Sequence, residues 1–305
     1  MDSLIALQSK LYVAGVNPVL GGTLAYFGSV EDPAIEFVRP TPVRAYAEKN
    51  TRGTAGYPLV PYSNRIGDGR FSFDGVDYQL DINSPIPWHP IHGIGWIRQW
   101  SVTSATPQRL VLSLTHDSSG FTDRAWPWSF DATQIFDLDD TRLQWSLSLT
   151  NCDTRKMPAG IGMHPFFPKS PAMEVQFAAQ AVWQNDERML PTGRTEVPFE
   201  WNFRDHHPIA ALAVDNCFAE WTGHAVLTWP DRDWSMQIDA DHVFSHLVVF
   251  TSPARDSIAL EPVSHANNAL NLAPQRDDTG LVVLGPGETL SGSFTMMPLP
   301  LEIKR

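Results

Sequence analysis

Five short stretches of this chain gather titratable and hydrogen-bonding side chains among prolines, glycines and aromatics. PYSNRIGDGRF (residues 61–71) carries Asn64 and Arg65, and WHPIHGIGW (88–96) carries His89 and His92. GMHPFFP (162–168) holds His164, VDNCF (214–218) holds Asp215, and ALEPVSHANNALNL (259–272) holds Glu261 at the end of an apolar run stopped by Pro262. A carboxylate titrates in the acid range and an imidazole near neutrality, so Glu261 and His164 are residue types that can take and give protons at the same pH. Alone, His164 reads as a hydrogen-bonded core histidine, and Asp215 reads almost as well as a surface or capping carboxylate. His89 reads as a turn cap or a solvated side chain.

Order and residue types together carry more than any single position. Pro61-Tyr62-Ser63-Asn64-Arg65-Ile66-Gly67-Asp68-Gly69-Arg70-Phe71, then His92-Gly93, then Gly162-Met163-His164-Pro165-Phe166-Phe167, then Glu261-Pro262 resemble, in that sequence, the aldose 1-epimerase (galactose mutarotase) family. The resemblance extends over roughly residues 11 to 297. It implies a supersandwich fold and exchange of α and β anomers of a free aldose by ring opening and reclosure, with no metal or redox cofactor. It assigns Glu261 as the base and His164 as the acid, and Asn64, Arg65, His92 and Asp215 as ligands of the sugar. The partner it implies is a monosaccharide, galactose or glucose by default, with pentoses, deoxy sugars and acidic sugars left open. A phosphorylated hexose would want an Arg/Lys cluster, and along the sequence only Arg65 is obvious. Trp96, Trp183 and Phe250 are candidates to stack on the sugar.

Two other classes compete. A carbohydrate-binding protein would need no acid–base pair. A glycosidase sets two carboxylates across the bond, and no second carboxylate accompanies Glu261 in the sequence. Other chemistries lack their signatures. His242 and His246 are four apart, but VFSHLVVF reads as strand and supplies no third metal ligand. His206-His207 reads as a solvated loop. The G-x-G pairs at 93–95 and 160–162 lack a third glycine and a following helix, and no GxSxG elbow is present.

The elements that must position these residues read as strands. Phe71 and Phe73 alternate with polar neighbours before Asp74-Gly75, and Val76, Tyr78 and Leu80 resume afterwards, a hairpin signal. Leu143, Trp145, Leu147 and Leu149 share one face opposite Gln144, Ser146 and Ser148, after an Asp139-Asp140 turn and a strand from Ser129 to Leu138. Ala225, Leu227 and Trp229 precede the turn PDRD, and Trp234, Met236 and Ile238 follow it. LYVAG, AIEFV, RLVLSL, AMEVQF, HLVVF, SIAL and TLSGSFTMM are further strand candidates. Many short strands with frequent turn signals predict an all-β protein, a large antiparallel sandwich or barrel. No composition break divides the chain, so one domain over residues 1–305 is expected.

Composition bounds the rest. The 305 residues carry a formal charge of −12, with no basic run longer than Arg155-Lys156, which disfavours nucleic acid and anionic membranes. Cys152 and Cys217 form neither a disulfide framework nor a zinc motif. The N-terminus lacks the pattern of a signal peptide, and no apolar stretch reaches the length of a membrane span; a cytoplasmic location is expected. Oligomeric state is not legible.

Overall fold

A computed structural model describes residues 3–85 and 87–301; Met1, Asp2, Ile86 and residues 302–305 of the expected single domain lie outside them. Two large antiparallel sheets dominate. The ten-stranded sheet runs, in spatial order, Ile5–Gln8, Tyr12–Asn17, Thr23–Ser29, Gly56–Leu59, Gly162–Pro168, Ser257–Val263, His246–Thr251, Val214–Ala219, Ala181–Asn185 and Pro191–Glu196. The nine-stranded sheet is built around Thr289–Pro300, flanked by Trp234–Ala240 on one side and Leu143–Asn151 on the other.

Alternation along the strands follows from the pleat, which sends successive side chains to opposite faces. In Leu143–Asn151 the leucines and Trp145 are buried, while Gln144, Ser146 and Ser148 are only half-buried. Trp145, Phe136, Phe294, Met236 and Met296 of the nine-stranded sheet share one apolar cluster with Met163, Phe167, Leu247, Val249, Ile258 and Leu260 of the ten-stranded one. That cluster fills the space between the sheets. The expected Phe73–Val76 hairpin forms, with Asp74 at φ 50° and Gly75 at φ 76°, the positive pair that a tight two-residue turn needs.

GMHPFFP does not alternate, and the structure supplies the reason. This strand is covered on both faces, so every position from Gly162 to Phe167 is buried and the apolar residues do not alternate. Met163 and Phe167 join the inter-sheet core. His164 and Phe166 point the other way, toward a smaller cluster with Tyr57, Trp96, Cys217, Val248 and Ala259. The site therefore lies on the face of the ten-stranded sheet turned away from the main core.

One strand expectation fails. AIEFV forms only an isolated bridge between Glu36 and Gly28. Phe37 and Val38 are both buried, which breaks the two-residue period, and prolines at 33, 40 and 42 bracket the segment. Its backbone instead ties Arg39 N–H to the Phe166 carbonyl at 2.8 Å.

Candidate active site

Strand register creates the central pair. Gly162 lies opposite Val263 and Phe166 opposite Ala259, so His164 falls directly across from Glu261. Both are buried, and His164 Nε2 lies 3.1 Å from Glu261 Oε1. The two are therefore neighbours in one wall of the cavity. Among the described residues Glu261 Oε2 and His164 Nδ1 have no hydrogen-bond partner. A buried polar atom left so costs ~1–3 kcal/mol, and Glu261 Oε2 is an acceptor that a ligand hydroxyl would satisfy.

The remaining sequence-predicted residues converge on the same cavity, which Asn64, Arg65, His92, His164, Asp215 and Glu261 all line. Asn64 and His92 belong to two loops stitched together. Asn64 N–H donates to His92 Nδ1 at 3.1 Å, and His92 N–H donates to the Asn64 carbonyl at 2.9 Å. With Nδ1 accepting, the neutral imidazole carries its hydrogen on Nε2, leaving a donor to offer. Gly93 sits at φ 67°, and a Cβ there would stand 2.2 Å from the Val60 carbonyl oxygen, so the His-Gly pair is a backbone requirement of this turn. Asn64 Oδ1 accepts from Arg65 N–H and from Arg65 Nη1 at 3.2 Å. Arg65 Nη2 reaches Asp215 Oδ2 at 3.8 Å.

Electrostatics follow from burial. Desolvation, and then the Asp215 carboxylate, push Glu261 well above the usual carboxylate range, with Arg65 pulling the other way. Desolvation, followed by His92, Arg39 and Arg52, holds His164 well below the ordinary imidazole value. His92 is lowered by burial and then by Arg65 and Arg52. With Glu261 raised and His164 lowered, the two titrate as one pair, and the 3.1 Å contact lets a shared proton sit on either partner. His92, His164 and Glu261 also present ligand atoms within 4.8 Å of one another, a compact three-donor set.

One sequence reading is corrected and another is decided between its alternatives. Asp215 is a second carboxylate lining the same cavity as Glu261, from a strand two places away in the sheet, and it is matched by Arg65. Of the two readings of His89, the turn cap is the one that holds: it is buried, and its Nδ1 accepts from Asp68 N–H at 2.9 Å in the Gly67–Gly69 turn. Among the aromatic candidates, Trp96 and Phe250 line the cavity together with Tyr57 and Phe166; Trp183 is buried outside that lining. His242 lies exposed in a loop and His246 is buried, bonded to Ser245, so they form no metal pair.

Several positioning residues carry no role in the sequence reading. His265 lies only four residues beyond Glu261, yet its Nε2 accepts Ser63 N–H at 3.1 Å while Nδ1 donates to the Ala266 carbonyl at 2.7 Å. Asn268 N–H donates to the Arg65 carbonyl at 2.9 Å, and its Oδ1 accepts Gly67 N–H at 2.9 Å. The segment after Glu261 thereby anchors the Asn64-Arg65 loop. The clue lay in the density of polar residues in SHANN after an apolar strand. Arg39, Arg52 and Arg255 also line the cavity and come from segments that show no motif.

Among the described residues, no helix is long and apolar enough to cross a membrane. The family model for aldose 1-epimerase matches residues 18–296. The uncharacterized Escherichia coli (strain K12) protein YphB is 31% identical over 248 residues, 79% of this chain and 82% of that protein. YihR of the same organism, also uncharacterized, is 27% identical over 224 residues, 71% of each. Among solved structures, an aldose 1-epimerase candidate from Escherichia coli K12 superposes with a TM-score of 0.87 at 27% identity, covering 98% of this chain and 99% of that one. A galactose mutarotase-like protein from Clostridium acetobutylicum gives the same TM-score, 0.87, at 18% identity over 98% and 95% of the two chains. The fold is the galactose mutarotase-like one.

Proposed function

The chain belongs to the aldose 1-epimerase family, and from that premise we propose that it is a mutarotase, interconverting α and β anomers of a free aldose. The observation that carries this reading is the buried Glu261–His164 contact of 3.1 Å in a cavity wall. Glu261 as carboxylate takes the proton of the C1 hydroxyl. The C1–O bond of the ring then breaks, its electron pair goes to the ring oxygen, and His164 Nε2–H protonates that oxygen. After rotation about C1–C2 the aldehyde recloses and both transfers reverse. The two oxygens concerned are both attached to C1, so an acid and a base side by side suit them. Each group contributes typically ~10²–10⁴-fold.

The reactive form is carboxylate with imidazolium. It differs from the neutral pair that burial favours only by a proton moving across the existing contact, so no exchange with solvent is needed. Arg65 and the Nε2–H of His92 are donors for sugar hydroxyls, and Asp215 is an acceptor. Polarimetry on freshly dissolved α-D-galactose, α-D-glucose and L-arabinose tests the reading. Acceleration that folded Glu261→Gln and His164→Asn both lose is the expected result. Hydrolysis of an aryl glycoside without mutarotation would point instead to Glu261 and Asp215 as a carboxylate pair. Binding of sugars with no rate on any of them would leave a binding protein.

A further inference from the structure

Charge distribution around the cavity runs against that of the molecule. The chain carries a formal −12, yet four arginines, Arg39, Arg52, Arg65 and Arg255, line this one cavity, against the carboxylates of Asp215 and Glu261. Arg65 is matched by Asp215 and Glu261 by His164. Among the described residues Arg39, Arg52 and Arg255 form no ion pair; Arg44, Arg70, Arg98, Arg204 and Arg232 form none either, but these do not line the cavity, whereas Arg39, Arg52 and Arg255 stand together on its wall. Cations gathered on one cavity wall repel one another; Asp256 acts on Arg39 and Asp215 on Arg255 from beyond ion-pair distance, so an arriving anion still gains there.

Their placement fixes where that anion would sit. Arg39 stacks on Phe166 at 3.7 Å and Arg255 on Phe250 at 4.0 Å. Phe166 and Phe250 are the cross-strand partners of Ala259 on its two sides. Two guanidinium groups therefore flank the row of Ala259, which is two residues along the same strand face from Glu261. Two residues of strand span about 7 Å, comparable to the reach of a pyranose from its anomeric oxygen to the substituent on the far side of the ring. Arg39 is held there by the carbonyls of Arg52, at 3.0 Å, and Thr54, at 2.5 Å, and Arg52 and Arg255 are exposed at the rim.

We propose that the substrate is an acidic aldose, carrying a carboxylate, phosphate or sulfonate away from C1, and that Arg39, Arg52 and Arg255 receive this group. This inference rests on the mutarotase reading. It replaces the sequence-based expectation that a phosphorylated hexose finds no basic cluster. It also couples recognition to chemistry. Arg39 and Arg52 are among the groups that hold His164 unprotonated, so an anion seated on them offsets their field and favours the imidazolium that protonates the ring oxygen. A neutral sugar leaves that field in place.

The test is anomer exchange measured by NMR on matched pairs: D-galactose with D-galacturonate, and D-glucose with D-glucuronate, glucose 6-phosphate and 6-deoxy-6-sulfoglucose. Wild type is compared with Arg52→Gln, Arg255→Gln and the double variant. The expected result is a kcat/KM for at least one acidic aldose about tenfold or more above its neutral parent, as charge-assisted hydrogen bonds supply. That advantage shrinks with added salt and collapses in the double variant, and the acid that gains most identifies the group. Neutral parents turned over as fast as every acidic partner would overturn the inference while leaving the mutarotase reading intact. If no sugar is turned over, that reading fails, and calorimetry with galacturonate, glucose 6-phosphate and the sulfonate decides the inference alone. Binding weakened in the arginine variants upholds it, and absence of binding overturns it.

Discussion

Replacing Glu261 by glutamine keeps the shape of the side chain and removes only its ability to hold a proton. Glu261 is buried, contacts His164 at 3.1 Å and leaves Oε2 without a partner, so the amide fits the same space and removes a carboxylate whose burial is unfavourable. Thermal stability should therefore stay level or rise. Loss of the base should lower kcat by ~10²–10⁴, about 3–5 kcal/mol of transition-state stabilisation. The contact to the C1 hydroxyl that glutamine can still make limits the change in KM to within about tenfold. Because the pair shares one proton, Glu261→Gln with His164→Asn should cost little more than either alone. The assay is polarimetric initial rate over a range of the best sugar, with circular dichroism and melting curves for each variant. A folded Glu261→Gln enzyme within tenfold of wild-type kcat would refute the reasoning. Strictly additive losses in the double variant would refute the shared proton.

Burial holds Glu261 above and His164 below their ordinary values of 4.5 and 6.5, so falling pH adds a second proton to the pair only below 6.5; an acidic limb in kcat/KM at or above 6.5 would count against this. His265 and His246 are buried neutral, pushed down to about 4 and about 3 from 6.5. The unfolded chain therefore binds more protons below pH 6.5. Stability should fall by up to ~1.4 kcal/mol per pH unit per histidine as pH drops toward those values. Melting temperatures across that range check it, and His265→Gln should flatten the slope. Gly160→Ala would place a Cβ 2.0 Å from the His265 ring, costing ~1–3 kcal/mol and raising KM as the Ser63–Asn64–Arg65 loop loses its anchor. Gly193→Ala, with nothing within 4 Å, should do neither. Zinc seated on His92, His164 and Glu261 would occupy both proton-transfer groups, so it should inhibit, and a chelator should restore the full rate.

How much of this was legible beforehand depended on how local each cause is. Side-chain alternation in Leu143–Asn151 and the Asp74-Gly75 turn are set within a few residues by pleat and φ, and the sequence alone determined them. Order and identity of the stretches around Asn64, His92, His164 and Glu261 likewise determined the family and named the residues that meet in the cavity. Sequence could not decide that His164 and Glu261 stand side by side, because that is a matter of cross-strand register between segments about a hundred residues apart. Nor could it reveal why AIEFV abandons the sheet to deliver Arg39. The arginines at 39, 52 and 255 carry no motif, and each alone resembles a solvated surface charge. Only the closing of the ten-stranded sheet around one cavity turns them into a cluster, because charge complementarity is a property of distance in space and not of distance along the chain.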